Sequence, residues 1–429
     1  MFKRAITYLL TAAIIFAALS IAVSAEPDAS LAECVYVLNV DSGLGVYEKN
    51  AEIPTPPVAT AKIMTAILAY EHYAGNFDEI ITVSEEAVDM TIGNSAGLKA
   101  GEEVSVDMLL TALIAGGAND AANVFALEIG GTLDNFCDMM NKKAAEIGAA
   151  STVYKNACGI DTEGMTTTAK DVALITTYAY KLSGFREHAM ITRYVSPKTN
   201  KSGERVIHNR NYLLSTHIER KYYDAEAIGM NTGFTQAGGF CTVSAAEEDG
   251  LTYITVVMNA KKDENGDNSS FYITSELIDY ATENFSFRNV LDPNNLILEV
   301  PVRLGKNADY VIASPENKAQ YFLNNNVDID AEITLNTNLV SKTLTAPIHE
   351  GEKVGTVDVV YKGEVIASVD LVAKNNVNAS SALRFLDYVK NLLKSTHVRV
   401  ALIIFAVIFI AYLSLSYLSF VRSHKNKRK

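Results

Sequence analysis

From Cys34 to Asn50 apolar and polar positions alternate on either side of a glycine-containing turn, the period of two that a β-hairpin requires. After the proline-punctuated stretch IPTPPV the period changes. Lys62, Ile63, Met64, Ile67 and Leu68 recur at helical spacing, which predicts a helix there. Residues 106–115 predict a second, buried helix. GGANDAANVFALEIGG (116–131) predicts a turn and then a helix closed by paired glycines. TLDNFCDMMNKKAAEIG (132–148) is amphipathic at the same period and stops at Gly148. From Ile228 alternation returns in IGMNTGF, GFCTVSAAEEDG and LTYITVVMNAK. The order strand, helices, strands predicts an α+β unit with helices against an antiparallel sheet, not a doubly wound parallel sheet.

A second texture begins near Leu296. LILEVPVRLG, ADYVIAS, EITLNTNLV and the run from Thr343 to Ala373 are short strands with turn signals every eight to twelve residues. That spacing predicts a small all-β, sandwich-like module. KNNVNASSALRFLDYVKNLLKSTH then reads as a linker and an amphipathic helix.

Two apolar runs frame this body. Lys3 and Arg4 precede an uncharged stretch, Ala5 to Ala25, that ends in the small residues Val23-Ser24-Ala25, a signal-peptide pattern. Its length also suits an uncleaved anchor. Val400 to Phe420 holds no charge in 21 residues. At ~1.5 Å per residue it reaches ~31 Å, about one bilayer core. The basic tail RSHKNKRK places the C-terminus in the cytoplasm by the positive-inside rule. The expected organisation is a signal peptide over 1–25, an α+β domain over 30–285 and a β domain over 294–375. A linker and amphipathic helix (376–398), a transmembrane helix (400–420) and a basic cytoplasmic tail (421–429) complete it. The expected location is a bacterial plasma membrane, crossed once, with the folded part outside the cytoplasm.

Charge narrows the partners. Seven of the 37 basic residues lie in the two terminal segments, leaving 30 against 50 acidic residues, a balance of −20 for the body. That argues against nucleic acid and anionic surfaces. The four cysteines (Cys34, Cys137, Cys158, Cys241) and seven histidines show no metal-ligand spacing, so neither a metal nor another cofactor is expected. The scattered cysteines read as buried free thiols.

Three short motifs carry the candidate chemistry: Ala59-Thr60-Ala61-Lys62, Gly117-Ala118-Asn119 and Asn231-Thr232-Gly233. In order and spacing they resemble the motifs of penicillin-binding proteins, specifically the low-molecular-mass D-alanyl-D-alanine carboxypeptidases. That signature is Ser-x-x-Lys, a Ser-x-Asn element and Lys-Thr-Gly. VYEKNAEIPTPPVATAKIMTA, NACGIDTEGMTTTAKDVA, GMNTGFTQAGGF and APIHEGEKVGTVDVV extend the resemblance across roughly residues 30 to 375. It implies a penicillin-binding-protein/β-lactamase-like domain, a serine nucleophile acting on peptidoglycan stem peptides, and a lysine one helical turn on that takes the serine's proton.

Each motif departs from that pattern. Ala59 stands at the nucleophile position, Gly117 at the second serine, and neutral Asn231 at the lysine whose charge lies near the substrate's carboxylate. Lys62, Asn119, Thr232 and Gly233 remain. Thr60 lies about 100° round the helix from position 59 and is expected to face away from the cleft. Thr152 and Thr167, each three residues before a lysine, read as structural. The resemblance therefore implies a cell-wall pseudoenzyme whose partner is a peptidoglycan stem peptide or a wall protein. An active carboxypeptidase with a non-standard nucleophile and a scaffold with an empty cleft are the alternatives.

Overall fold

The computed structural model describes residues 26–294 and 297–426, so the expected signal peptide over 1–25 lies outside the described residues. Two compact units divide the chain, residues 1–286 and 287–429.

The first unit holds strands β1 (Ala32–Asn39), β2 (Gly45–Lys49), β3 (Ile80–Thr82), β4 (Glu103–Ser105), β5 (Arg193–Ser196), β6 (Arg205–His208), β7 (Ala227–Thr235), β8 (Gly239–Glu248) and β9 (Leu251–Ala260). Five of them form one sheet in the order β2-β1-β9-β8-β7, antiparallel throughout as expected. β3–β4 and β5–β6 are separate small hairpins. The alternation read in β8 is the alternation seen. Cys241, Val243 and Ala245 face the large core, and Ala246 joins a smaller cluster with Leu213, Tyr222 and Phe271. That core buries the helices Ala61–Tyr73, Val106–Ile114 and Asn119–Gly130 through Ile63, Met64, Ile67, Leu109, Leu113 and Phe125. Caps set the helix ends. Ser105, Thr132 and Thr168 each accept a first-turn N–H, worth about 1 kcal/mol apiece. Gly148 closes the helix Leu133–Ile147 at φ 94°, a conformation open to glycine without cost.

The second unit, which β10 (Phe285–Leu291) enters, adds β11 (Leu298–Arg303), β12 (Tyr310–Pro315), β13 (Ala319–Asn324), β14 (Ile333–Leu339), β15 (Leu344–Thr345), β16 (Lys353–Tyr361) and β17 (Glu364–Ala373). They build a six-stranded sheet, β14-β16-β17-β12-β11-β15, and a β10–β13 pair around Val300, Val311, Val357 and Leu371. The helix Ser381–Lys394 exposes Phe385, Leu386 and Tyr388. The last helix follows, and its segment Thr396–Val421 is long and apolar enough to cross a membrane, with mean hydropathy 2.6.

Candidate functional site

Pro57 ends the extended entry to the first long helix, and a 3₁₀ turn, Val58–Thr60, leads into Ala61–Tyr73. Val58 sits at φ 50°, left-handed backbone that a β-branched residue rarely adopts and that costs on the order of 1–3 kcal/mol. The turn is clamped on two sides. A Cβ on Gly159 would lie 1.5 Å from the Val58 carbonyl oxygen, and one on Gly233 would lie 2.4 Å from Ala59 Cβ. Only glycine lets the 158–160 loop and β7 come this close. Ala59 is 7% exposed, and its methyl faces the cleft.

Lys62 projects from the next turn and is 5% exposed. Its Nζ donates to the Cys158 carbonyl oxygen at 2.7 Å. Burial pushes its ammonium down from 10.5 to about 8; Cys158 opposes that shift and the nearby Arg210 guanidinium adds to it. No carboxylate pairs with it among the described residues.

Gly117 adopts φ 62°, and Asn119 begins the following helix. The Asn119 amide nitrogen Nδ2 donates to Ile92 O at 2.6 Å, while its Oδ1 is buried without a hydrogen-bond partner. β7 forms an edge of the main sheet. A bulge between Gly229 and Asn231 sets its phase. Thr232 then faces the cleft and donates to Cys241 O at 2.9 Å. Asn231 is 3% exposed, its Oδ1 also unpartnered, and it does not line the cleft.

The resulting cleft holds about 430 Å³. It brings together Ala59, Lys62, Gly117, Asn119, Thr232 and Gly233, six of the seven residues singled out in the sequence. Cys158, Asn94, Asp161 and Arg210 line it too, and the motif reading missed all four. Arg210 donates through Nη1 to Asn94 Oδ1 at 2.8 Å. No local signal marks it, because it reaches the cleft from beyond β6.

The Cys158 thiol and the Thr232 hydroxyl are committed elsewhere, and Thr235 Oγ1, at the cleft's edge, accepts from Gly238 N–H at 3.0 Å. Cys158 Sγ donates towards Asn123 Oδ1 at 3.0 Å, and burial pushes its thiol up to about 11, so the thiolate is scarce. Thr60 is buried, and its hydroxyl donates to Pro57 O at 2.6 Å, away from the cleft. Thr152 and Thr167 bond each other, and Thr152 bonds Asp171, in a buried network.

Lys62 should weaken the fold. Below pH 8 its ammonium is charged in both folded and unfolded chains, so the folded chain carries the full desolvation penalty. Between about pH 8 and 10.5 the unfolded chain binds the extra proton, and stability rises with pH. Lys62→Met is therefore expected to stabilise the first unit by about 2 kcal/mol at pH 7, after allowance for the Cys158 carbonyl left unpaired. That is a rise of roughly 4–8 °C in its melting temperature. The advantage should shrink above pH 8. A lower melting temperature for Lys62→Met at pH 7 would show that the ammonium is stabilising.

The cleft thus gathers a buried lysine, an asparagine at a helix start and a Thr-Gly edge around the Ala59 methyl. Residues 21–262 match the D-alanyl-D-alanine carboxypeptidase family model, and residues 285–379 match the C-terminal domain of penicillin-binding protein 5. The chain belongs to the D-alanyl-D-alanine carboxypeptidase family, whose members act in peptidoglycan metabolism. It is 26% identical to the D-alanyl-D-alanine carboxypeptidase DacF of Bacillus subtilis (strain 168) over 337 residues, 76% of this chain and 80% of that protein. It is likewise 26% identical to DacC of Escherichia coli (strain K12), over 75% of this chain and 78% of the relative. Among solved structures, the D-alanyl-D-alanine carboxypeptidase DacD of Francisella tularensis superposes with a TM-score of 0.63 at 25% identity, covering 83% of this chain and 95% of its own.

Proposed function

We propose that this chain is a membrane-anchored pseudoenzyme that binds peptidoglycan stem peptides and does not cleave them. The carrying observation is the Ala59 methyl at the nucleophile position of an otherwise assembled cleft, with Lys62 bonded to a backbone carbonyl. Losing the nucleophile of a serine hydrolase costs about 10⁶-fold in turnover, and further losses at the same site add little because such groups act as a unit. Binding does not need the serine. β7 is an edge strand whose Thr232–Thr235 stretch lines the cleft, so an extended peptide can add to it there through main-chain hydrogen bonds.

The test is to incubate the full-length protein in detergent with a stem peptide ending in D-Ala-D-Ala. The peptide should be retained and recovered intact by mass spectrometry. Released D-alanine would overturn the proposal in favour of an active carboxypeptidase, and no retention would favour a scaffold.

The anchoring half of the proposal is a single span with the folded units outside the cytoplasm. The long apolar helix and the basic residues after it support this reading. External protease on wall-stripped cells should digest the folded units and spare a short C-terminal membrane fragment. Truncation before Thr396 should release the remainder into the soluble fraction. Retention of that truncated chain in membranes would mean an uncleaved N-terminal run, or surface binding by the helix Ser381–Lys394.

A further inference from the structure

Beside the cleft lies a second cavity of about 310 Å³. Arg210, Thr232, Gly233 and Phe234 line both. The two spaces therefore adjoin along β7. The second cavity is bounded by a loop carrying Tyr212 and Tyr222, by Phe240 of β8, and by the Lys262–Phe271 segment that follows β9.

Its chemistry differs from that of the cleft. The rings of Tyr222 and Phe271 lie 4.9 Å apart and those of Phe234 and Phe240 4.6 Å apart, giving an aromatic floor. Lys221 is already committed, to Asp267 at 2.5 Å and to Glu219 at 3.8 Å. Arg210 and Lys262 have no ion-pair partner among the described residues. Two cations without an ion-pair partner, Arg210 holding Asn94 through one nitrogen, therefore face a cavity with an apolar floor, on a chain whose net charge is −13. The third motif offers none, since Asn231 is neutral and turned inside. Positive charge suited to a ligand carboxylate is thus found where the two cavities adjoin, at Arg210, and beyond the degenerate site, at Lys262.

The geometry points to one continuous groove, in which a peptide laid along β7 runs past the degenerate site instead of ending in it. An acidic group further along that peptide is held by Arg210 and Lys262 over the aromatic floor. The ligand class is a peptide engaged through its interior, with a carboxylate beyond the engaged residues. This rests on the stem-peptide reading of the cleft and specifies which form of peptide the groove prefers.

Three N-acetylated probes test it by titration against the full-length protein in detergent: Lys-D-Ala-D-Ala with a free carboxylate, its carboxamide, and the same sequence extended by Gly-Asp. Amidation should change the dissociation constant less than threefold, and extension should tighten binding at least tenfold. Lys262→Glu alters an exposed side chain. It should abolish the gain from extension and leave the short probes unchanged. Equal affinity for short and extended probes, a loss of tenfold or more on amidation, or an extension gain that survives Lys262→Glu would each overturn the groove while leaving peptide binding in place. No binding of any probe would overturn the stem-peptide reading and the groove together.

Discussion

Full-length protein incubated with a fluorescent β-lactam is expected to carry no covalent label after denaturation. Such drugs acylate an active-site serine, and the proposed function puts Ala59 at that position. Three other candidate nucleophiles in the cleft are held back by their surroundings. Thr232 donates its proton to Cys241 O, and Cys158 is a buried thiol raised to about 11. Lys62 is an amine held near 8 and bonded to a carbonyl. A label at stoichiometric yield would refute the pseudoenzyme proposal, and peptide mapping would identify the attacking atom.

Ala59→Ser alone is expected to give slow acylation at best, whereas Ala59→Ser with Gly117→Ser and Asn231→Lys should give a clear gain. The single change returns a hydroxyl one turn from an amine that is substantially neutral above pH 8, so its acylation rate should rise through that pH. The other two positions are harder to restore. A Cβ at Gly117 has room, with Arg210 Cδ at 3.5 Å and Asn94 Nδ2 at 3.6 Å, but φ 62° is strained for serine. A lysine at 231 enters a buried position and must find the cleft to keep its charge. If Ala59→Ser alone hydrolysed a D-Ala-D-Ala peptide at ordinary enzyme rates, about 1–10³ s⁻¹, the other two losses would be catalytically irrelevant.

The elements carrying a clear period were legible. The hairpin of β1 and β2, the helix ending at Gly148 and the β7–β9 meander follow from spacing of two or 3.6 and from glycine stops. The helix Ser269–Asn284 was not. It opens with Ser269 and Ser270, and its buried face mixes Thr274 with Phe271, Ile273 and Leu277, so no clean apolar stripe announces it. The β5–β6 hairpin was missed because Val195 and Val206 lie on an exposed face and no buried alternation marks it. The site divides the same way. Motif spacing placed Ala59, Lys62, Gly117, Asn119, Thr232 and Gly233, but the partner of Lys62 is 96 residues away and Arg210 enters from another element. Such contacts are products of tertiary packing, which local pattern does not encode.

The four buried cysteines carry a consequence in time rather than in structure. Cys34 lies on β1, Cys137 on the helix Leu133–Ile147, Cys158 at the cleft and Cys241 on β8, all unpaired. Burial raises Cys137 and Cys158 to about 11 and Cys241 to about 12. Burial raises Cys34 as well, so near neutral pH the reactive thiolate is scarce and oxidants and alkylating reagents find little to attack while the core is closed. Modification waits on opening of the surrounding structure. The order in which the four react is therefore a clock that reads which part of the first unit opens first.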